Sequence, residues 1–190
     1  MTPSFALSLS SEGTLLAASG HEALFASQDN CESWVYTPTG LEVAYGGTGN
    51  ATEPSEAWAY LGLTGDEGMV AGFPGVAFSR DGGTTWNDGH LLRNRYTRAL
   101  ALESRENEPL RVYSAGYGGG ATWSDDGGET WMGSAVGLDE EAVAYDLLVA
   151  SNEPGVVLMA GLGALYRSHD GGLTWGAIET PMERVRSLDE

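Results

Sequence analysis

The chemistry this chain can offer is mostly that of carboxylates. Its 27 Asp and Glu stand against 9 basic residues, all of them arginine, with 3 His and a single cysteine, Cys31. Two carboxylates about 5–9.5 Å apart can cleave a glycosidic bond, one as acid and the other as nucleophile or base. Asp146 and Glu103 are candidates for that work, among the many acidic residues of the chain. His21, His90 and His169 are scattered and Cys31 stands alone, so no zinc-ligand spacing is found and neither a metal nor a cofactor is expected. Gly116-Tyr117-Gly118-Gly119-Gly120 is followed by nothing that reads as a helix, which makes it a hairpin turn and not a phosphate loop. No Ser–His–Asp set can be argued from separation alone.

Four of the aspartates recur in one setting. Ser79-Arg80-Asp81-Gly82-Gly83-Thr84-Thr85-Trp86, Ser124-Asp125-Asp126-Gly127-Gly128-Glu129-Thr130-Trp131 and Ser168-His169-Asp170-Gly171-Gly172-Leu173-Thr174-Trp175 are close copies. A degenerate one, Ser27-Gln28-Asp29-Asn30-Cys31-Glu32-Ser33-Trp34, lies upstream with Cys31 where the later copies have their second glycine, and a looser turn is expected there. The copies recur at intervals of roughly 45–50 residues, the length of a four-stranded propeller blade.

The elements that must position these segments repeat with them. Each is preceded by three short apolar runs with a Gly-rich turn before the last, as in Val156-Val157-Leu158-Met159-Ala160, Gly161-Leu162-Gly163 and Ala164-Leu165-Tyr166. Short, turn-bounded runs rich in branched and aromatic residues are strands, and no stretch has a convincing helical period. The expected unit is strand, turn, strand, Gly turn, strand, Asp segment, strand. Within the segment the Asp accepts hydrogen bonds from turn N–H groups and the Ser bonds locally. Gly-Gly supplies positive φ, and the Trp opens the fourth strand and buries its ring. The residues Ser27, Asp29, Trp34, Ser79, Asp81, Gly83, Trp86, Ser124, Asp126, Gly128, Trp131, Ser168, Asp170, Gly172 and Trp175 are therefore expected to be structural. Their carboxylates belong to four separate blades and cannot converge on one ion.

The pattern Ser-x-Asp-x-Gly-x-Thr-Trp resembles the Asp-box, or bacterial neuraminidase repeat, family. That family includes sialidases, two-propeller xyloglucanases, sortilin-type receptors and a propeller-type photosystem II assembly factor. The resemblance covers nearly the whole chain and implies an all-β propeller of four-stranded antiparallel blades. A sialidase would also need an arginine cluster, a Tyr–Glu nucleophile pair and an acid–base Asp. The arginine cluster cannot be placed: Arg80 sits within a box, Arg167 just before one, and Arg93 and Arg95 in a connector.

The whole of 1–190 is expected to be one propeller domain, with blades at about 4–37, 57–90, 96–135 and 143–180, an insertion at 38–56 and the start of a further blade at 183–190. The first and last of these do not complement each other as a closing blade would, so an open arc is expected, either part of a larger propeller or a half-ring completed by a second copy. Turns between second and third strands share one face, which carries His21, Phe73, Tyr117 and Leu162. The start of each blade lines the central channel and places Arg98, Tyr145 and Asp146 near it. These aromatic and charged residues are the candidate recognition surface.

A net charge of −18 disfavours nucleic acid and anionic membrane surfaces. The N-terminus has no charged segment followed by a long apolar run, so no signal peptide is read and the cytoplasm is the default expectation. The expected function is a non-catalytic interaction module that presents loops to a protein or glycan, with self-association through open blade edges. The alternative is a glycoside hydrolase module, sialidase-like or xyloglucanase-like.

Overall fold

The computed structural model describes residues 5–9, 13–19, 23–37, 60–64, 67–71, 76–80, 85, 87–88, 97–116, 120–138, 142–150, 152–161 and 163–179. The insertion at 38–56 and the segment at 183–190 lie outside them, and so do His21, Phe73, Tyr117, Leu162, Asp81, Gly83 and Trp86.

Among the described residues, sixteen strands form four sheets of four, each antiparallel and each built from consecutive strands. The first blade holds β1 (Phe5–Leu9), β2 (Leu15–Ser19), β3 (Ala23–Ser27) and β4 (Val35–Thr37). The second holds β5 (Tyr60–Thr64), β6 (Glu67–Ala71), β7 (Val76–Ser79) and β8 (Asn87–Asp88). The third holds β9 (Thr97–Glu103), β10 (Arg111–Gly116), β11 (Ala121–Ser124) and β12 (Met132–Ser134). The fourth holds β13 (Ala144–Val149), β14 (Val157–Gly161), β15 (Ala164–Ser168) and β16 (Gly176–Ile178). The last strand of each blade starts at the residue after the box Trp, one position later than expected. The described part of β5 pairs with β6 in the register Thr64↔Glu67.

The first strands stand side by side in chain order, β1 against β5, β5 against β9 and β9 against β13, so the blades follow one another in an arc. Strand periodicity decides what lies between them, because alternate residues point to opposite faces. In the third blade Leu100 and Val112 face backward and pack with Val76 and Phe78 of the second. Ala99, Ala101, Tyr113 and Trp123 face forward and pack with Leu147, Val157, Met159 and Trp175 of the fourth. With a neighbour on each side, β10 is buried on both faces from Val112 to Gly116. In β13 only Ala144 and Leu147 are buried, and Leu148 on the forward face is 61% exposed.

Candidate functional site

The eight-residue box can be followed in three copies, starting at Ser27, Ser124 and Ser168. In each, the Ser Oγ donates to the box Asp at 2.7–2.8 Å and accepts the N–H of the fifth residue at 2.7–3.0 Å. The seventh residue gives both its N–H and its hydroxyl to the same carboxylate. Gly127, Gly128, Gly171 and Gly172 all have positive φ. The first box is not the looser turn expected from its sequence. Asn30 and Cys31 take φ of 57° and 71° and the full bond set forms. Three or more hydrogen bonds fix the turn, and they outweigh the cost of a left-handed Cys.

These bonds also fix the charge of the box. The Ser33 hydroxyl and N–H, helped by Ser27, hold the Asp29 carboxyl at about 2. The Thr174 hydroxyl and N–H do the same for Asp170, also at about 2. At Asp126 burial is the largest single influence and opposes ionisation, but the bonds from Thr130, Ser124 and Glu129 together outweigh it and lower the pKa.

Beyond its own turn, the box locks onto the blade before it. Arg80 of the second blade donates to the Asp126 carbonyl at 2.9 Å and pairs with Glu129 at 2.9 Å. Arg111 of the third blade lies over the Tyr113 ring and donates to the Gly171 carbonyl at 3.0 Å. A β-carbon on Gly171 would meet that guanidinium at 2.7 Å, so a side chain there would displace Arg111, and the φ of +69° itself favours glycine. The tryptophans follow the same rule. Trp175 is buried against the third blade, and Trp131 packs, partly exposed, against the second. Trp34 has no earlier blade beside it among the described residues and is 39% exposed. The expectation that every box Trp is buried is thus corrected, because burial comes from the preceding blade and not from the box itself.

The two carboxylates offered for acid–base work are not a pair. Glu103 ends β9, where its carboxylate accepts the Tyr113 hydroxyl at 2.7 Å and the N–H of Gly155 in the fourth blade at 3.1 Å. Burial and the Glu103 bond push the Tyr113 phenol up. Asp146 lies near the start of the neighbouring first strand, about four residues or roughly 13 Å away along the strand direction, beyond the reach of a glycosidase pair. It is exposed and accepts the N–H of Leu147 at 2.9 Å. Beside Glu103, an open groove of about 590 Å³ runs between the Ser104–Pro109 and Ala150–Pro154 turns, lined by Leu102, Arg105, Glu106 and Val149 among others. Arg105 is committed there to Glu108 at 2.8 Å and Asp125 at 3.0 Å. The groove depends on how two blades meet, and no sequence signal marks it.

At the other end of these first strands, Arg98 and Tyr145 occupy matching positions. In β9 the pairing passes from Ala115↔Ala99 to Gly116↔Thr97, and Arg98 is skipped. In β13 it passes from Asp146↔Ala160 to Ala144↔Gly161, and Tyr145 is skipped. Both residues sit at register shifts of the bulge kind, which break the alternation of a strand. Tyr145 is 49% exposed. Arg98, Tyr145 and Asp146 therefore lie on adjacent first strands, at the end where strands two and three are joined. His21, Phe73 and Tyr117, the loop residues expected there, are outside the described residues. Among those described, no cluster of three or more His, Cys, Asp or Glu could hold a metal ion, and no helix is long and apolar enough to cross a membrane.

No family model matches the chain, and no curated protein matches it in sequence. Solved structures do match. An ancestral GH74 enzyme superposes with a TM-score of 0.64 at 19% identity, over 89% of this chain and 23% of that one. The GH74 xyloglucanase from Xanthomonas campestris gives 0.61 at 17%, over 91% and 29%. The computationally designed Ika4 protein gives 0.59 at 14%, over 90% and 92%. This chain thus spans about a quarter of the length of the two enzymes. The GH74 folds are β-propellers, and at these identities the likeness shows the fold: an all-β arc of four-stranded propeller blades.

Proposed function

We propose that this chain is a non-catalytic propeller module of the Asp-box kind, with residues 1–190 forming one domain that presents its channel mouth to a protein or glycan partner. The observation that carries the reading is the pair of bulges at Arg98 and Tyr145. Two adjacent blades carry Arg98 and Tyr145 at matching backbone positions, next in the strand to exposed Asp146. Bulges cost ladder hydrogen bonds, and they are over-represented where a side chain must be re-aimed at a ligand. An aromatic and a guanidinium on a rigid rim suit stacking on a sugar ring or a peptide side chain.

The box residues are read as braces. Their carboxylates are occupied within the turn and held ionised. A glycosidase needs one carboxyl kept protonated near neutral pH, the opposite of what these turns do. The hydrolase reading draws on the GH74 neighbours, whose likeness extends to fold alone.

The test is a glycan array together with a displayed peptide library, each repeated with Arg98→Ala and Tyr145→Ala, and an assay for reducing ends released from xyloglucan and aryl glycosides. The proposal expects bound ligands whose affinity falls at least about tenfold in both variants, with no turnover. Release of sugar, or binding indifferent to both substitutions, would overturn it.

A further inference from the structure

The groove between the third and fourth blades lies at the box end of their first strands, away from Arg98 and Tyr145. Its volume is about 590 Å³, and Leu102, Val149, Ala150 and Pro154 form its apolar part. Its charged part is Glu103, Glu106 and Glu108 with a single cation, Arg105. That cation has nothing left for a ligand. Its terminal nitrogens reach Glu108 at 2.8 Å, the Asp125 carboxylate at 3.0 Å, and the Asp125 and Pro109 carbonyls at 3.1 Å each. These four contacts use its four terminal N–H donors, and the remaining Nε is shut off from solvent. Glu103 is the opposite case. The Tyr113 hydroxyl and the Gly155 N–H hold it from two blades, yet each of its oxygens keeps a further lone pair. It is a carboxylate fixed in place with capacity to spare. Glu106 is exposed and has no hydrogen-bond or ion-pair partner among the described residues.

We propose that this groove binds a basic peptide segment of another protein and seats one arginine or lysine of it. The stem of that side chain lies along Leu102, Val149 and Pro154, and its cation reaches Glu103 and Glu106. Charge selects the partner. With Arg105 neutralised inside its own pairs, the groove offers carboxylate oxygens alone, which repel an anion and attract a cation. Shape selects it too. Arginine and lysine carry an apolar stem behind the charge, matching apolar walls beside an acidic rim. A lone metal ion fits worse: among the described residues no three His, Cys, Asp or Glu come together to hold one, and the volume is that of a larger guest. The net charge of −18 draws the same partner in from a distance. Both walls belong to consecutive blades inside the arc, tied to each other by the Glu103–Gly155 bond. This site makes no use of Arg98, Tyr145 or Asp146 and stands apart from the reading that rests on them.

The test is fluorescence anisotropy on the full chain in about 0.15 M salt, where charges far apart are screened. The probes are capped, labelled pentapeptides with a central arginine or lysine and varied neighbours, each paired with its glutamine counterpart. Saturable binding is expected for members of the basic set, and at least about tenfold weaker binding for their counterparts. Glu106→Arg should weaken binding at least about tenfold by setting like charges face to face. Glu32→Arg makes the same change of charge on the exposed box turn of the first blade and should leave binding within about twofold of the parent, as should Arg98→Ala. Ala150→Phe should fill the groove and abolish binding at an unchanged far-UV spectrum. In that filled background the Arg98 and Tyr145 substitutions report on the other site alone. No saturable binding by any basic probe, equal losses in Glu106→Arg and Glu32→Arg, a loss shared with Arg98→Ala, or full binding by a folded Ala150→Phe protein would each overturn the proposal.

Discussion

The backbone N–H of Trp175 donates to the carbonyl of Val136 at 2.9 Å, stitching the fourth box to the segment that leaves the third blade. The next residue, Gly137, has φ of +85°, and a β-carbon there would fall 1.8 Å from the Trp175 carbonyl oxygen. The obstacle is backbone on both sides, so no side-chain rotation relieves it. Gly137→Ala should destabilise the protein by more than about 3 kcal/mol, combining left-handed strain with a clash. A urea midpoint close to that of the parent would refute this joint.

The box tryptophans should rank by the blade that covers them. Trp175→Ala should cost about 3–5 kcal/mol, as for a buried aromatic, and Trp131→Ala about 1–3 kcal/mol because its ring is partly exposed. Trp34→Ala, measured in dilute protein, should fall within about 1 kcal/mol of the parent. The Trp175 Nε1 has no acceptor among the described residues, whereas that of Trp131 donates to the Gly128 carbonyl at 3.0 Å. Trp175→Phe should therefore be much milder than Trp175→Ala. Equal losses at Trp34 and Trp175 in denaturant titrations would break the ranking.

Cys31 is exposed and held at φ of 71°. Cys31→Gly removes that strain with no packing to lose, and should stabilise the fold by about 0.5–1 kcal/mol. The check is a thermal melt, where a gain of a few degrees is expected. A lower melting temperature would mean that the thiol contributes contacts.

Acid should remove the bracing of the boxes. The folded pKa of Asp29 and Asp170 is about 2, below the model-compound 3.8. A group whose folded pKa is depressed contributes stability that is complete above its unfolded pKa and is lost as pH falls through the folded one. Urea midpoints at fixed ionic strength should therefore drop between about pH 4 and pH 2, and Asp170→Asn should flatten the drop. A midpoint that rises over this interval in the parent would contradict the linkage.

Salt should stabilise the fold, because 27 acidic residues against 9 arginines give a net charge of −18 and screening weakens that self-repulsion. A melting temperature that falls between low and molar sodium chloride would show that ion pairs such as Arg105–Asp125 outweigh the repulsion.

The sequence by itself determined the blades. A box of fixed polar residues, Gly-Gly or its stand-ins and a Trp forms its turn from bonds between residues at most four apart, so the motif is legible one copy at a time. Four copies at blade-sized intervals then dictate four sheets. Tertiary structure decided whatever depends on what lies beside a blade. Identical box tryptophans end buried, half-buried or exposed because a preceding blade either covers them or does not. The bulges that pair Arg98 with Tyr145 arise from inter-strand register, which a list of apolar runs does not contain. Glu103 became a brace between Tyr113 and Gly155, residues 10 and 52 positions away in the chain, and no local pattern connects them. The reason is range: turn chemistry acts within a few residues, whereas burial, register and inter-blade contacts are set by surfaces that meet only after the strands have folded.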